Sequence, residues 1–177
     1  IMSIKGGSPK RLTHCNDALL KQRLVAKPSS HWITTPQGTK VHVWMLTPPK
    51  LKKARRRPGV LQVHGGPHGQ YGCMFFHEFQ CQAGDGHVVV YSNPRGSKGY
   101  GRDHCASIRG AWGTTDWIDI RAVANWMMTR PEINAKRMAI MGGSYGGYMT
   151  NWAIGHTNDF ACAITDFNPD SVSSTSG

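Results

Sequence analysis

The sequence predicts an α/β fold, a mostly parallel sheet flanked by helices. Three observations predict it. Two β-type runs open the ordered part, and strand–helix alternation follows them. Two later runs, Gly59–His64 and His87–Ser92, stay apolar in character instead of alternating, as strands covered on both faces do. A glycine-rich turn, Gly142-Gly143-Ser144-Tyr145-Gly146-Gly147, joins a further strand to a helix.

Residues 1–28 are polar and irregular, and Lys27-Pro28-Ser29-Ser30 reads as a linker. The expected division is therefore 1–28, a polar stretch ending in the linker, and 29–177, the main domain. His31-Trp32-Ile33-Thr34-Thr35 and Lys40–Leu46 are the opening β runs, with a hairpin turn at Pro36-Gln37-Gly38-Thr39. From Asp116 to Arg130, Trp117, Ile120, Val123, Ala124, Met127 and Met128 recur at helical spacing. Thr115 or Asp116 is the expected N-cap, and Pro131 ends the run. Arg137–Met141 is the next strand, 146–156 the next helix and Ala161–Thr165 the last strand. The serine-rich stretch Ser171–Gly177 reads as a mobile tail.

Composition narrows the class. The chain has 177 residues, 39% hydrophobic and 18% charged, a globular balance with room for one sizeable core. No run approaches the ~18 apolar residues of a membrane helix. The start lacks the apolar stretch and cleavage site of a signal peptide, and its isoleucine points to a piece of a longer chain. Five cysteines at irregular spacing include no CxxC pair, and the nine histidines form no HExxH pair. No metal or cofactor is expected, and the cysteines read as reduced thiols of a cytoplasmic protein. The net charge is +11, and Lys50, Lys52, Lys53, Arg55, Arg56 and Arg57 supply six of the positive charges. Bounded by prolines and without interleaved aromatics, that run reads as a solvated loop. A basic nucleic-acid module is the weaker reading of it.

The turn at 142–147 has the form G-x-S-x-G, a nucleophile elbow. A sharp strand-to-helix turn must hold the serine in a strained conformation with its hydroxyl exposed. Glycines two residues before and two after leave room for that turn. The amide of Tyr145 opens the helix, whose positive end stabilises a developing oxyanion. Upstream, His64-Gly65-Gly66-Pro67 follows a strand, and such a turn aims a second amide, assigned to Gly66, at the same oxyanion. His64 itself reads as a structural turn residue. These features predict an α/β-hydrolase fold with Ser144 as nucleophile and Tyr145 and Gly66 as backbone oxyanion donors.

A serine needs a base, and in this fold the order is Ser, then Asp or Glu, then His. After Ser144 the sequence holds one histidine, His156, with Asp159, Asp166 and Asp170. Twelve helical residues would put His156 ~18 Å from Ser144 along the axis, too far to act. His68 and His77 approach from the loop after Gly66, but against the fold's order. The triad is expected to be incomplete.

Four stretches, in this order and spacing, resemble the prolyl oligopeptidase family of serine peptidases, with its acylaminoacyl-peptidase-like and dipeptidyl-peptidase-like members. They are Val63-His64-Gly65-Gly66-Pro67-His68-Gly69, Tyr91-Ser92-Asn93-Pro94-Arg95-Gly96-Ser97-Lys98-Gly99-Tyr100-Gly101, Trp112-Gly113 with Asp116, and Gly142–Met149. Arg11-Leu12-Thr13-His14 resembles the end of the β-propeller that precedes the hydrolase domain in that family. The resemblance implies hydrolysis of short or N-acylated peptides through an acyl-enzyme on Ser144. It also implies that the family's catalytic aspartate and histidine have no counterpart here and that the ending from Phe167 departs from the pattern. A sheet edge would then be open to self-association. An esterase or lipase of the same fold stays open as an alternative.

Overall fold

The structure, a computed structural model, describes residues 2–3, 8, 10–49 and 56–166. The basic run, apart from Arg56 and Arg57, and the serine-rich tail lie outside the described residues. The N-terminal region holds two short strands, β1 (Met2–Ser3) and β2 (Lys10–Arg11), paired antiparallel, and a single helical turn, α1 (Asp17–Lys21). It is thus less irregular than its sequence reads. The expected linker at 27–30 is a strand instead. β3 (Pro28–Thr34) pairs antiparallel with β4 (Lys40–Leu46), from Pro28 opposite Leu46 to Thr34 opposite Lys40. Proline is tolerated there because it is the first residue of an edge strand, where no ladder donor is required. The hairpin turn falls as expected, with Gly38 at φ 80 and its amide donating to the Thr35 carbonyl.

The main sheet has six strands in the order β3-β4-β6-β5-β7-β8. The last three in sequence besides β5 (Arg57–Val63) are β6 (Val88–Asn93), β7 (Ile133–Gly143) and β8 (Cys162–Asp166). β6, β5, β7 and β8 run parallel, and β3 and β4 add an antiparallel edge. The helices are α2 (His77–Gly84), α3 (Arg102–Ala106), α4 (Thr115–Met128) and α5 (Tyr145–His156). α2 and α3 carry no clear periodic pattern in sequence, being only eight and five residues long.

Period-2 alternation divides the apolar residues between two cores. Val41, Val43, Met45, Leu61, Val63, Val88, Val90, Met138 and Ile140 face one side. There they meet Ile120, Val123, Ala124 and Met127 of α4 and Met149 and Ala153 of α5. Trp44, Leu46, Val89 and Tyr91 face the other side and meet Phe79 and Ala83 of α2. β6 lies between two strands and between both cores, so all six of its residues are buried. That double cover explains its unbroken apolar character.

α4 begins one residue before the expected start. Its N-cap is Thr114, not Thr115 or Asp116, and the Thr114 hydroxyl donates backward to the Ala111 carbonyl instead of capping the helix. Trp117 and Met128 are only half-buried, whereas Asp116 and Asp119 are fully buried. Both carboxylates are partnered, Asp116 by the Tyr145 hydroxyl and Asp119 by Arg95.

Candidate active site

Parallel pairing brings two loops together. Val63, the last residue of β5, lies opposite Gly142 of β7, so the turns after both strands emerge side by side at the carboxyl ends of the strands. A Cβ on Gly65 would lie only 3.6 Å from the Cβ of Ser144. In open α/β sheets this is where ligands bind.

Ser144 sits between β7 and α5 with φ 55 and ψ −125, the one non-glycine residue with positive φ among those described. Such a conformation costs about 1–3 kcal/mol and persists only where neighbours enforce it. The neighbours are identifiable. The Ser144 amide donates to the Asp166 carbonyl at the end of β8 (3.0 Å), and its carbonyl accepts from the Tyr148 amide (3.0 Å). A Cβ on Gly142 would lie 2.5 Å from the Val63 carbonyl oxygen, and one on Gly146 would meet the same oxygen closer still. The two glycines let the elbow press against the end of β5. The first amides of α5, Tyr145 among them, have no acceptor one turn back in the helix.

The Tyr145 side chain is buried. Its hydroxyl donates to Asp116 Oδ2 at 2.6 Å, and Trp112 packs edge-on against its ring. Burial, and next the charge of Asp116, push its phenol far above the usual range. This contact ties the residue after Ser144 to the first turn of α4.

On the other loop, Gly66 has φ 132, and a Cβ there would collide with the amides of His68 and Gly69, each at 2.5 Å. Only glycine fits. His64 is buried, with Nδ1 2.8 Å from the Gly65 carbonyl and Nε2 2.8 Å from Ser97 Oγ. Burial holds its pKa below the ordinary histidine value. A neutral imidazole wedged in this way is a turn brace, in keeping with the structural role expected for it.

No histidine takes up the part of a base. Each of the nine is engaged elsewhere. His68 bonds to the Gly96 carbonyl and Cys105, His77 lies against Cys81 on its own helix, and His156 stacks on Trp152 and bonds to that residue's carbonyl. His14, His31, His42, His87 and His104 are held by Asp17, Ser29, Ser30 with Tyr100, the Gln82 carbonyl and the Pro94 carbonyl. No group of three or more His, Cys, Asp or Glu side chains among the described residues could hold a metal.

Several residues around the site escaped the sequence reading. A cavity of about 270 Å³ lies beside the elbow, lined by Gly65 and Gly143 and by Gln62, Tyr71, Glu78 and Asp166. Gln62 stays buried in β5 because Glu78 and Gln82 of α2 accept from its amide, each at 3.0 Å. A glutamine interrupting an apolar strand was the available signal. Without α2 there was nothing to pair it with.

The chain is similar to known peptidases over most of its length. The profile of the prolyl oligopeptidase family matches residues 73–168, which include Ser144 and Tyr145. The uncharacterized peptidase YuxL of Bacillus subtilis is 41% identical over 161 residues, covering 90% of this chain and 24% of that protein. Dipeptidyl-peptidase 5 of Schizosaccharomyces pombe is 30% identical over 144 residues, covering 78% and 21%. Among solved structures, Pyrococcus horikoshii acylaminoacyl peptidase superposes with a TM-score of 0.83 at 32% identity, covering 89% of this chain and 26% of its own. A Mycobacterium tuberculosis puromycin-hydrolyzing peptidase gives 0.78 at 31% identity, covering 84% and 24%. The chain thus spans about a quarter of the length of these relatives.

Proposed function

Because this chain belongs to the prolyl oligopeptidase family, we propose that it supplies the nucleophile half of a serine peptidase site. Ser144 is the nucleophile, and the amides of Tyr145 and Gly66 stabilise the oxyanion. The observation that carries this reading is Ser144 itself, strained at φ 55 at the head of α5, beside the loop that bears Gly66. Attack of Ser144 Oγ on a peptide carbonyl puts charge on the carbonyl oxygen. Two backbone donors and the positive end of a twelve-residue helix favour that charge. The acyl group passes to the serine, and the amine leaves with the serine's proton. That transfer needs a histidine and its carboxylate, which this reading assigns to sequence beyond the chain. By itself the chain is silent or nearly so.

Short or N-acylated peptides are the proposed substrates. Residues 1–28 are proposed as the end of a propeller-like domain with its linker, and 29–177 as part of the α/β-hydrolase catalytic domain, whose first strand, β3, takes in Pro28 from the linker. The five cysteines, none of them in a disulfide, suit a reducing, cytoplasmic setting. No helix among the described residues is long and apolar enough to cross a membrane. The outer edge of β8 is the proposed route for self-association.

The test is labelling with a fluorophosphonate probe and peptide mapping, with Ser144→Ala as control. The folded chain is expected to stay unlabelled, and the longer protein that carries it to label on Ser144. Label on Ser144 in the chain alone would overturn the missing-base reading. Turnover of a p-nitrophenyl ester but not of an acyl-peptide anilide by the longer protein would replace peptidase by esterase.

A further inference from the structure

α4 buries two carboxylates one turn apart, Asp116 and Asp119, and neither belongs to the chemistry above. We propose that they are positioning residues: Asp116 fixes the donor at Tyr145, and Asp119, through Arg95, fixes the loop that bears the donor at Gly66. The proposal rests on the reading of Gly66 and Tyr145 as oxyanion donors.

Asp119 reaches the Gly66 loop in two steps. It pairs with Arg95, which meets Asp119 Oδ1 through Nη2 (2.7 Å) and the carboxylate again through Nε, while the Arg95 amide donates to Oδ2 (2.7 Å). Arg95 Nη2 also donates to the Thr115 carbonyl, so the arginine is locked to the first turn of α4. The next three residues then grip the Gly66 loop from both ends. Ser97 Oγ meets His64 Nε2 (2.8 Å), His68 Nδ1 donates to the Gly96 carbonyl (2.9 Å), and the Lys98 amide donates to the Gly69 carbonyl (3.0 Å). Gly66 lies between these points.

Asp116 reaches the other donor in one step. Its Oδ2 accepts from the Tyr145 hydroxyl, and its Oδ1 accepts from the Trp117 amide in its own helix. It lies in the first turn of α4, where the helix end favours a negative charge. One rigid turn of helix therefore sets where both donors stand relative to each other. A packed apolar residue would fill either buried position at less electrostatic cost. What the carboxylates add is direction, because each accepts from one particular group.

The test has two arms. In the ¹⁵N-labelled chain, Asp119→Asn is expected to move the amide resonances of Gly66 and Gly69, which do not touch it. Asp116→Asn is expected to move that of Tyr145 and leave Gly66 in place. In the longer, active protein, Asp119→Asn is expected to lower kcat about 10- to 100-fold with KM within two-fold. Affinity for a peptidyl trifluoromethyl ketone should fall in parallel. Asp116→Asn, which keeps an acceptor for Tyr145, should lose less than Asp116→Ala. If Asp119→Asn does not fold, Arg95→Lys serves, since it keeps the charge and loses the fork. A fall in Tm with an unmoved Gly66 amide and an unchanged kcat would reduce both residues to structural supports and overturn the proposal. The NMR arm needs no turnover, so an inactive wild-type protein would count against the peptidase reading while this one is still decided.

Discussion

β6 and β8 are both short parallel strands, yet one is buried at every residue and the other is exposed at four of five. Val88-Val89-Val90-Tyr91-Ser92-Asn93 lies between β4 and β5 with a core on each face. Among the described residues Cys162-Ala163-Ile164-Thr165-Asp166 has β7 on one side only, and Ile164 is 54% exposed. On the face where α2 covers the centre of the sheet, the surface around Ala139, Met141, Cys162 and Ile164 is an apolar groove of about 380 Å³. Strand formation is a local property and cover is not. The elbow stands on the border between these regions. Gly142 and Gly146 press it against β5 on the closed side, and the Asp166 carbonyl holds the Ser144 amide on the open side.

The largest expected effect separates two ion pairs. Arg95–Asp119 lies on the closed side, with the Asp119 side chain fully buried. Arg121–Asp159 lies beside the open edge, its side chains 36% and 25% exposed. Asp119→Ala leaves a nearly buried arginine without its partner and is expected to cost about 3–5 kcal/mol. Asp159→Ala is expected to cost about 1 kcal/mol or less. Urea denaturation of both variants checks this, and equal losses would break the contrast between closed and open sides. Next comes the elbow. Gly146→Ala pushes a methyl into the Val63 carbonyl, a backbone atom that cannot turn away. A loss of about 3 kcal/mol is expected, at the upper end for overpacking. A loss under about 0.5 kcal/mol would mean that the elbow is not wedged against β5.

How much of this could be read in the sequence depended on the same distinction. The six strands of the main sheet, the hairpin turn, α4, α5 and the elbow at Ser144 follow from local pattern: apolar runs, helical spacing, and glycines flanking a serine. The fold and the family followed from their order. What escaped was set by partners distant in sequence. Gln62 is buried because α2 supplies acceptors, and α2 has too few turns to show a period. Asp116 reads as a helix cap and Asp119 as an ordinary polar position of an amphipathic pattern, and only packing shows both buried. Pro28 looked like linker punctuation because its role, first residue of an edge strand, is defined by pairing with Leu46.

A smaller effect appears with pH. Burial depresses the His64 pKa from the ordinary 6.5. Above that value the imidazole is neutral in both folded and unfolded chains and contributes no pH dependence. Below it the unfolded chain takes up a proton that the folded chain resists, so stability falls as pH falls. The slope from this one group is at most ~1.4 kcal/mol per pH unit. His42, depressed in the same direction by burial, adds to the wild-type slope. Denaturation of wild type and His64→Gln between pH 7 and 5 isolates the His64 part. The variant is expected to show the shallower slope, and identical slopes would mean that His64 is not held neutral.

The smallest expected change tests the open edge. Ile140 and Ile164 are isoleucines on neighbouring strands. Ile140 is fully buried, so Ile140→Ala should cost about 2–5 kcal/mol. Ile164→Ala should change stability by about 0.5 kcal/mol or less, as for a surface residue. Its effect should instead appear in association. An apolar residue on an unpaired strand edge favours pairing with another chain, and a lysine there opposes it. Ile164→Lys is therefore expected to leave the urea midpoint nearly unchanged while lowering the concentration-dependent increase in sedimentation coefficient. If Ile164→Lys instead unfolds the chain, β8 is covered in solution, and the difference between the two strands disappears. If stability and sedimentation both stay the same, the edge is open but does not pair, and the self-association reading falls while the fold stands.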